Sequence, residues 1–209
     1  MSVDKIILRA ILSTLAAIGI LIGFAFVMLV VAFPATTMEM AYDLGMENSC
    51  VRNAERAYKR KSDIYFIAYA TDVAIGADNY KKTVSCGKKM IVDEEFAGYC
   101  AQKDEEYALY AEENDIVGIT FDYEQYIYGN VCVAEYKLGD KQTAVIDAFE
   151  YTEGFKKNNA VVAVYYAARG ENDQTTVSQI GEKMKQVQKD TFSAEEQAYY
   201  QLVLGWING

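Results

Sequence analysis

The chain has 209 residues, 52% hydrophobic and 24% charged, with net charge −10, one proline and no histidine. Without histidine there is no Ser-His-Asp or Cys-His pair, no histidine general base and no histidine metal ligand. A pI near 4.6 argues against nucleic acid as a partner, because phosphate binding needs a basic surface. Mean hydropathy is −0.06, high for so acidic a chain, which implies that the apolar residues are concentrated in one place.

That place is the N-terminus. Ile6 to Phe33 is a run of 28 residues interrupted only by Arg9, Ser13 and Thr14, and no charge falls between Ala10 and Phe33. About 20 apolar residues cross a bilayer as a helix, whereas the core of a signal peptide has about 7–15. The exit reads Ala32-Phe33-Pro34-Ala35, and neither Phe33 nor Pro34 suits the small-residue rule of a cleavage site. Residues 1–34 therefore read as an uncleaved signal anchor, with residues 6–33 in the lipid bilayer. Lys5 and Arg9 precede the span, while Arg52 is the first basic residue after it. The positive-inside rule then expects a single-pass cell-membrane protein with a cytoplasmic N-terminus and an extracytoplasmic remainder. Gly19 and Gly23 make a G-x-x-x-G, a candidate contact for a homo-oligomer.

Residues 35–209 form the second expected domain, organised by a recurring glycine. Leu44-Gly45, Ile75-Gly76, Leu138-Gly139, Arg169-Gly170 and Leu204-Gly205 close apparent helices at intervals of 31, 63, 31 and 35 residues, so one unit near residue 107 lacks its glycine. Glycine suits the residue after a helix because it takes positive φ without a Cβ clash. Apolar residues at helical spacing predict helices over Lys141–Lys156 and Asp63–Ile75, and Asp63, Asp93, Asn158 and Ser193 stand where N-caps are needed. No strand alternation is sustained, and the β-branched stretch Ile116–Thr120 reads as a loop between helices.

A helix–turn–helix unit of this length resembles the tetratricopeptide repeat. Leu44-Gly45-Met46-Glu47-Asn48-Ser49-Cys50, followed by Ala57, matches the turn glycine and the small residues five and twelve positions later, and Leu138-Gly139-Asp140 followed by Ala144 is the nearest local match. Cys132, Ala163 and Ala198 occupy the small position seven residues before the glycine, whereas Tyr69, Met38, Tyr151 and Glu182 depart from the pattern and the boundary proline is absent. The expected fold is all-α: a transmembrane helix, then a degenerate, tetratricopeptide-like solenoid of about five α-α hairpins. The resemblance implies a concave surface lined by Phe66, Tyr126, Tyr136, Lys137 and Tyr199, with Asp104 and Glu105 if the frame holds near residue 107.

The four cysteines, Cys50, Cys86, Cys100 and Cys132, admit two readings: a disulfide pair, with Cys100–Cys132 the one to test, or small buried apolar residues. The repeat frame favours burial for Cys50 and Cys132. No Cys-x-x-Cys exists, so neither a zinc knuckle nor a dithiol redox site is expected.

Charge is uneven. Residues 35–92 carry nine basic and seven acidic residues, and residues 93–155 carry three basic and sixteen acidic ones. Arg52, Arg56, Lys59 and Arg60 share one helix face and are candidates to rest on anionic head groups, a theme repeated by Lys81, Lys82, Lys88 and Lys89. The acidic block, Asp93 to Glu113, reads as a solvated face or a surface for a basic partner. Seventeen tyrosines supply rings suited to recognition or to helix seams. The motifs of serine hydrolases, Walker nucleotide sites and zinc proteases are absent, and Ser85-x-x-Lys88 stands without partner motifs. No catalytic residue, cofactor or metal is expected. The expected role is a membrane-anchored adaptor that holds another protein or peptide at the outer face of a bacterial-type membrane. The alternatives are an envelope glycan or peptide binder and a self-assembling structural protein.

Overall fold

The computed structural model describes residues 3–118, 121–152, 154–156 and 159–208, with side chains from residue 14 onward except at 17, 26 and 208. Every regular element among the described residues is a helix. The chain divides into two compact units, Met1–Ser62 and Asp63–Gly209. The apolar run therefore shares its unit with two further helices.

In the first unit, α1 (Val3–Ala32) contains the stretch Thr14–Ala32, of mean hydropathy 2.9 and with none of it buried. It has the length and composition of a membrane anchor or a signal sequence. The lysine and arginine that would orient it, Lys5 and Arg9, have side chains outside the described residues. Phe33 leaves the helical region (φ −127°, ψ 63°), and Pro34 opens α2 (Pro34–Asp43), where its missing N–H costs nothing. A turn on Gly45 (φ 66°) leads into α3 (Glu47–Lys61). Met38, Cys50, Ala54 and Ala57 are buried in the α2–α3 seam. Arg60 donates to the Ala32 carbonyl at the end of α1.

The second unit contains α4 (Ile64–Gly76), α5 (Tyr80–Ile91), α6 (Phe96–Glu113), α7 (Tyr123–Lys137), α8 (Lys141–Glu150), α9 (Ala160–Gly170), α10 (Gln174–Gln186) and α11 (Ala194–Asn208). Its consecutive partners are α4 with α5, α7 with α8 and α9 with α10, while α7 also packs on α5, α6 and α9. α7 is central. Tyr123, Ile127, Val131, Cys132, Ala134 and Tyr136 are buried around its circumference, which explains why its sequence shows no clean polar stripe.

Five helices end in the same way. Gly45, Asp78, Asp115, Gly139 and Asn172 all have positive φ, and each helix is closed by a 6→1 bond such as Asp140 N–H to the Glu135 carbonyl or Asp173 N–H to the Ala168 carbonyl. In three cases the next residue caps the following helix: Asn79, Asp140 and Asp173 accept from backbone N–H three residues on. The expected turn glycines are thus right at Gly45 and Gly139. At Gly76 and Gly170 the helix ends on the glycine, and the left-handed residue is Asp78 or Asn172, two positions later. Gly205 lies inside α11.

Three mid-helix glycines act through close approach instead. A Cβ at Gly87 would overlap the Val131 methyl across the α5–α7 seam, one at Gly129 would stand 3.3 Å from Ala163 Cβ, and one at Gly181 would stand 2.9 Å from Ile207. Other expectations are also corrected. α6 runs unbroken through residue 107, and α8 stops at Glu150 instead of Lys156, after which Thr152 donates to the Ala148 carbonyl. Asn158 lies outside the described residues; the cap of α9 is Asn159. Residues 116–118 are not helical, and the rest of the Ile116–Thr120 stretch lies outside the described residues. Ser193 and Glu196 form a reciprocal capping box at α11.

Candidate functional site

The residues expected to line one groove come apart. Phe66 is buried beside Tyr65. Tyr136 is 1% exposed, donates its hydroxyl to Asp173 and carries the Lys141 ammonium 5.1 Å from its ring centroid. Neither side chain is available to a partner. Lys137 pairs with Glu171 at 2.5 Å. Tyr199 contacts Phe155 and Trp206 and lines a separate open depression of about 750 Å³ with Lys156 and Leu202. Tyr199 thus belongs to an aromatic group with Phe155, Phe192, Tyr200 and Trp206, and Tyr126 to a different one.

The Tyr126 group lies on α6, on α7 and at Phe121 just before α7. The rings of Tyr99, Tyr123, Tyr126, Phe121 and Tyr107 follow one another with centroid separations of 6.0, 5.9, 5.7 and 4.8 Å. Tyr99, Tyr107, Phe121 and Tyr126 are each partly exposed, and Tyr110 at the end of the row is exposed. Spacings of eight and three residues along α6, and of three along α7, put these rings on facing sides. The carboxyl of Asp104 accepts from the Tyr123 backbone N–H at 2.7 Å and so fixes the start of α7 against α6. Glu105 is exposed.

Asp72 of α4 sits among these rings. Its Oδ2 accepts from the Tyr123 hydroxyl at 2.8 Å, whereas its Oδ1 is buried with no hydrogen-bond partner. Burial pushes the Asp72 carboxyl up to about 6, against the pull of the Tyr123 hydroxyl and of Lys103. Burial and the Asp72 charge together hold the Tyr99 and Tyr123 phenols above their ordinary range. One cation already uses this face: the Lys103 ammonium lies 5.7 Å from the Tyr99 centroid and is tied to Glu106 at 2.6 Å. The face thus combines aromatic rings, a poorly solvated carboxylate and surplus negative charge, which is the chemistry that receives ammonium and guanidinium groups.

The basic residues divide in a similar way. Arg52, Arg56, Lys59 and Arg60 all stand exposed on α3. Lys88 does not join a lipid-facing face as expected. Its ammonium lies 2.5 Å from Glu135 and 2.7 Å from Asp147, carboxylates that are 4% and 14% exposed. Burial opposes the Lys88 charge, but the bonds to Asp147 and Glu135 outweigh it and raise the ammonium above its ordinary range. Burial and the neighbouring Asp147 charge push the Glu135 carboxyl upward, against Lys88. Ser85 donates to the Lys82 carbonyl, so the Ser85-x-x-Lys88 spacing brings no free amine to the hydroxyl.

All four cysteines are free and buried, and the Cys100–Cys132 bridge is not formed. Burial pushes the Cys50 thiol up to about 11 and the Cys100 thiol to about 12. Among the described residues, no group of three or more His, Cys, Asp or Glu is placed to hold a metal. Sequence reasoning missed Asp72, which nothing in the local pattern marks. The signal that could have found the aromatic row is the density of tyrosine and phenylalanine between residues 99 and 128. In comparison with known proteins, the chain matches no family model, no curated protein and no solved structure.

Proposed function

We propose that this chain is a membrane-anchored helical-repeat adaptor that binds a lysine- or arginine-bearing segment of another protein on the face formed by α4, α6 and α7. On this reading α1 is the single membrane span, the N-terminus is cytoplasmic, and the helix pairs stack as a degenerate tetratricopeptide-like array outside the membrane. The observation that carries the reading is Asp72: a half-buried carboxylate with one buried, unpartnered oxygen, bonded to Tyr123 and close enough for its charge to act on Tyr99. A guest cation stacked on the rings would gain about 0.5–2 kcal/mol from each favourable ring contact and would relieve the Asp72 charge.

The test is fluorescence anisotropy of the full chain in detergent with labelled oligolysine, oligoarginine and oligoglutamate peptides of equal length. The cationic peptides should bind saturably, and Asp72→Asn and Tyr126→Ala should each weaken them severalfold. Binding of oligoglutamate with the same affinity, or indifference to both substitutions, would contradict the reading.

A further inference from the structure

The first unit contains a cleft of about 260 Å³ between α1, α2 and α3. Its floor is apolar: Leu29 and Val30 come from the last turns of α1, Met40 from α2 and Leu44 from the residue that ends α2. Leu44 is 70% exposed and Met40 49% exposed, so the floor opens outward instead of closing into the core. One wall is basic. Arg52 and Arg56 sit one turn apart on α3, and both line the cleft.

The two guanidiniums are held in place but not neutralised. Arg52 donates to the Asn48 carbonyl at 3.2 Å and to Ser49 Oγ at 3.3 Å, and Arg56 donates to Asn53 Oδ1 at 3.2 Å. These acceptors are neutral and lie three or four residues back on the same helix. No carboxylate pairs with either arginine among the described residues. A guanidinium carries five N–H donors, so most of the donors on this wall are free for an anion. Arg60, bonded to the Ala32 carbonyl, fastens the end of α3 to the end of α1 and fixes the width of the cleft.

We propose that this cleft binds one anionic phospholipid from the leaflet at the C-terminal end of α1, with its phosphate on Arg52 and Arg56 and an acyl chain along the apolar floor. The inference rests on the reading of α1 as a membrane span. Charge complementarity selects the head group. The lipid source follows from Leu29 and Val30, since the same residues end the apolar stretch and begin the cleft floor. A soluble anion would gain nothing from that floor, and a zwitterionic lipid would leave the arginines in surplus.

Native mass spectrometry of the full chain extracted in zwitterionic detergent, titrated with phosphatidylglycerol or phosphatidylcholine of identical acyl chains, tests the site. One phosphatidylglycerol should be retained per chain in preference to phosphatidylcholine. Arg52→Gln with Arg56→Gln should weaken it about twenty-five-fold, the product of two roughly fivefold losses. Lys156→Gln with Lys185→Gln, an equal change of charge at exposed positions of the second unit, should leave it unchanged. Met40→Trp, which fills the floor from an exposed position, should weaken both lipids. Equal affinity for the two lipids, or equal loss in the lysine control, overturns the site. The intact mass separates the two readings. A chain cleaved beyond Val30 lacks part of the floor, so anchor and site fall together; a full-length, membrane-extracted chain without lipid preference overturns the site alone.

Discussion

Asp72→Asn should stabilise the chain and weaken its binding of cations. The Asp72 carboxyl moves from 3.8 to about 6 on folding because burial disfavours its charge. Between those values the folded chain keeps a proton that the unfolded chain has released. Folding takes up a proton there, so this group's contribution to stability is complete below pH 3.8 and is lost as pH rises toward 6. A shift of that size corresponds to about 3 kcal/mol at neutral pH. Asparagine removes the charge and keeps an acceptor for the Tyr123 hydroxyl, but it places an amide where Oδ1 already lacks a partner, at a cost of about 1–2 kcal/mol. The net expectation is a gain of about 1–2 kcal/mol at pH 7, or roughly 2–8 °C in Tm for a unit of this size.

Thermal unfolding of the parent and the variant, followed by circular dichroism from pH 4 to pH 8, gives the readout as a difference curve. The carboxylates with lowered values, such as Asp173 held down by Lys141 and Thr176, act equally on both chains and cancel. The difference should grow between pH 4 and pH 6 and then level off. Parallel melting curves across that range would show that Asp72 is solvated and would falsify the assignment. Oligolysine affinity measured on the same samples should fall as stability rises. If stability and affinity rise together, the charge is not what receives the cation.

Three further outcomes follow from packing and charge. Lys88→Met leaves Glu135 and Asp147 facing each other without a cation and should cost about 2–4 kcal/mol at pH 7, between the limits for exposed and buried pairs; because Glu135 already titrates high, the loss should shrink in acid, and a chemical-denaturation midpoint equally depressed at pH 5 and pH 8 would contradict it. Gly87→Ala drives a methyl into Val131 across the α5–α7 seam and should destabilise by about 1–2 kcal/mol despite the better helix propensity of alanine, with Gly98→Ala, where nothing stands within 4 Å, as the control that should be neutral or stabilising. The four thiols should resist alkylation at pH 8 until the chain is unfolded, since burial raises Cys50 to about 11 and Cys100 to about 12; rapid labelling of any one of them in the folded chain, read by mass, would contradict its burial.

Helical class was legible in the sequence because it is written locally, in apolar spacing and capping side chains. Asp63, Ser193 and the Gly45 and Gly139 turns required only a few neighbouring residues to interpret. The turns on Asp78 and Asn172 were displaced by two positions because aspartate and asparagine also tolerate the left-handed conformation, so the nearest glycine was a misleading marker. Lys88 was misread for a different reason: its two carboxylate partners lie 47 and 59 positions away in sequence, and no local pattern reports such pairs. Asp72 and Tyr123, 51 positions apart, escaped for the same reason. Tyr136 was assigned to an open face by a repeat frame, whereas its hydroxyl is used by Asp173, the cap of α10.

The departure from periodicity and the candidate site have one origin. The left-handed turn residues stand 33 positions apart from Gly45 to Asp78 and again from Gly139 to Asn172, but the span of 61 from Asp78 to Gly139 is divided unequally by Asp115, into 37 and 24. The interval in between does not hold a second helix pair. It holds three helices, α5, α6 and α7, so that α6, 18 residues long, is one helix added to a pair; the described residues 116–118 and 121–122 that follow it are not helical, and Asp122 caps α7. Where α7 and α9 pack on each other directly, α6 stands as a neighbour of both α4 and α7. A single helix presents one apolar face, so it cannot cover as much of its neighbours as a pair does. The uncovered parts of α6 and α7 are where the rings of Tyr99, Tyr107 and Tyr126 remain half-exposed, and where half-buried Asp72 keeps a buried Oδ1 without a partner. The missing glycine near residue 107 is therefore a change of architecture, and the face proposed to receive cations lies where that change falls.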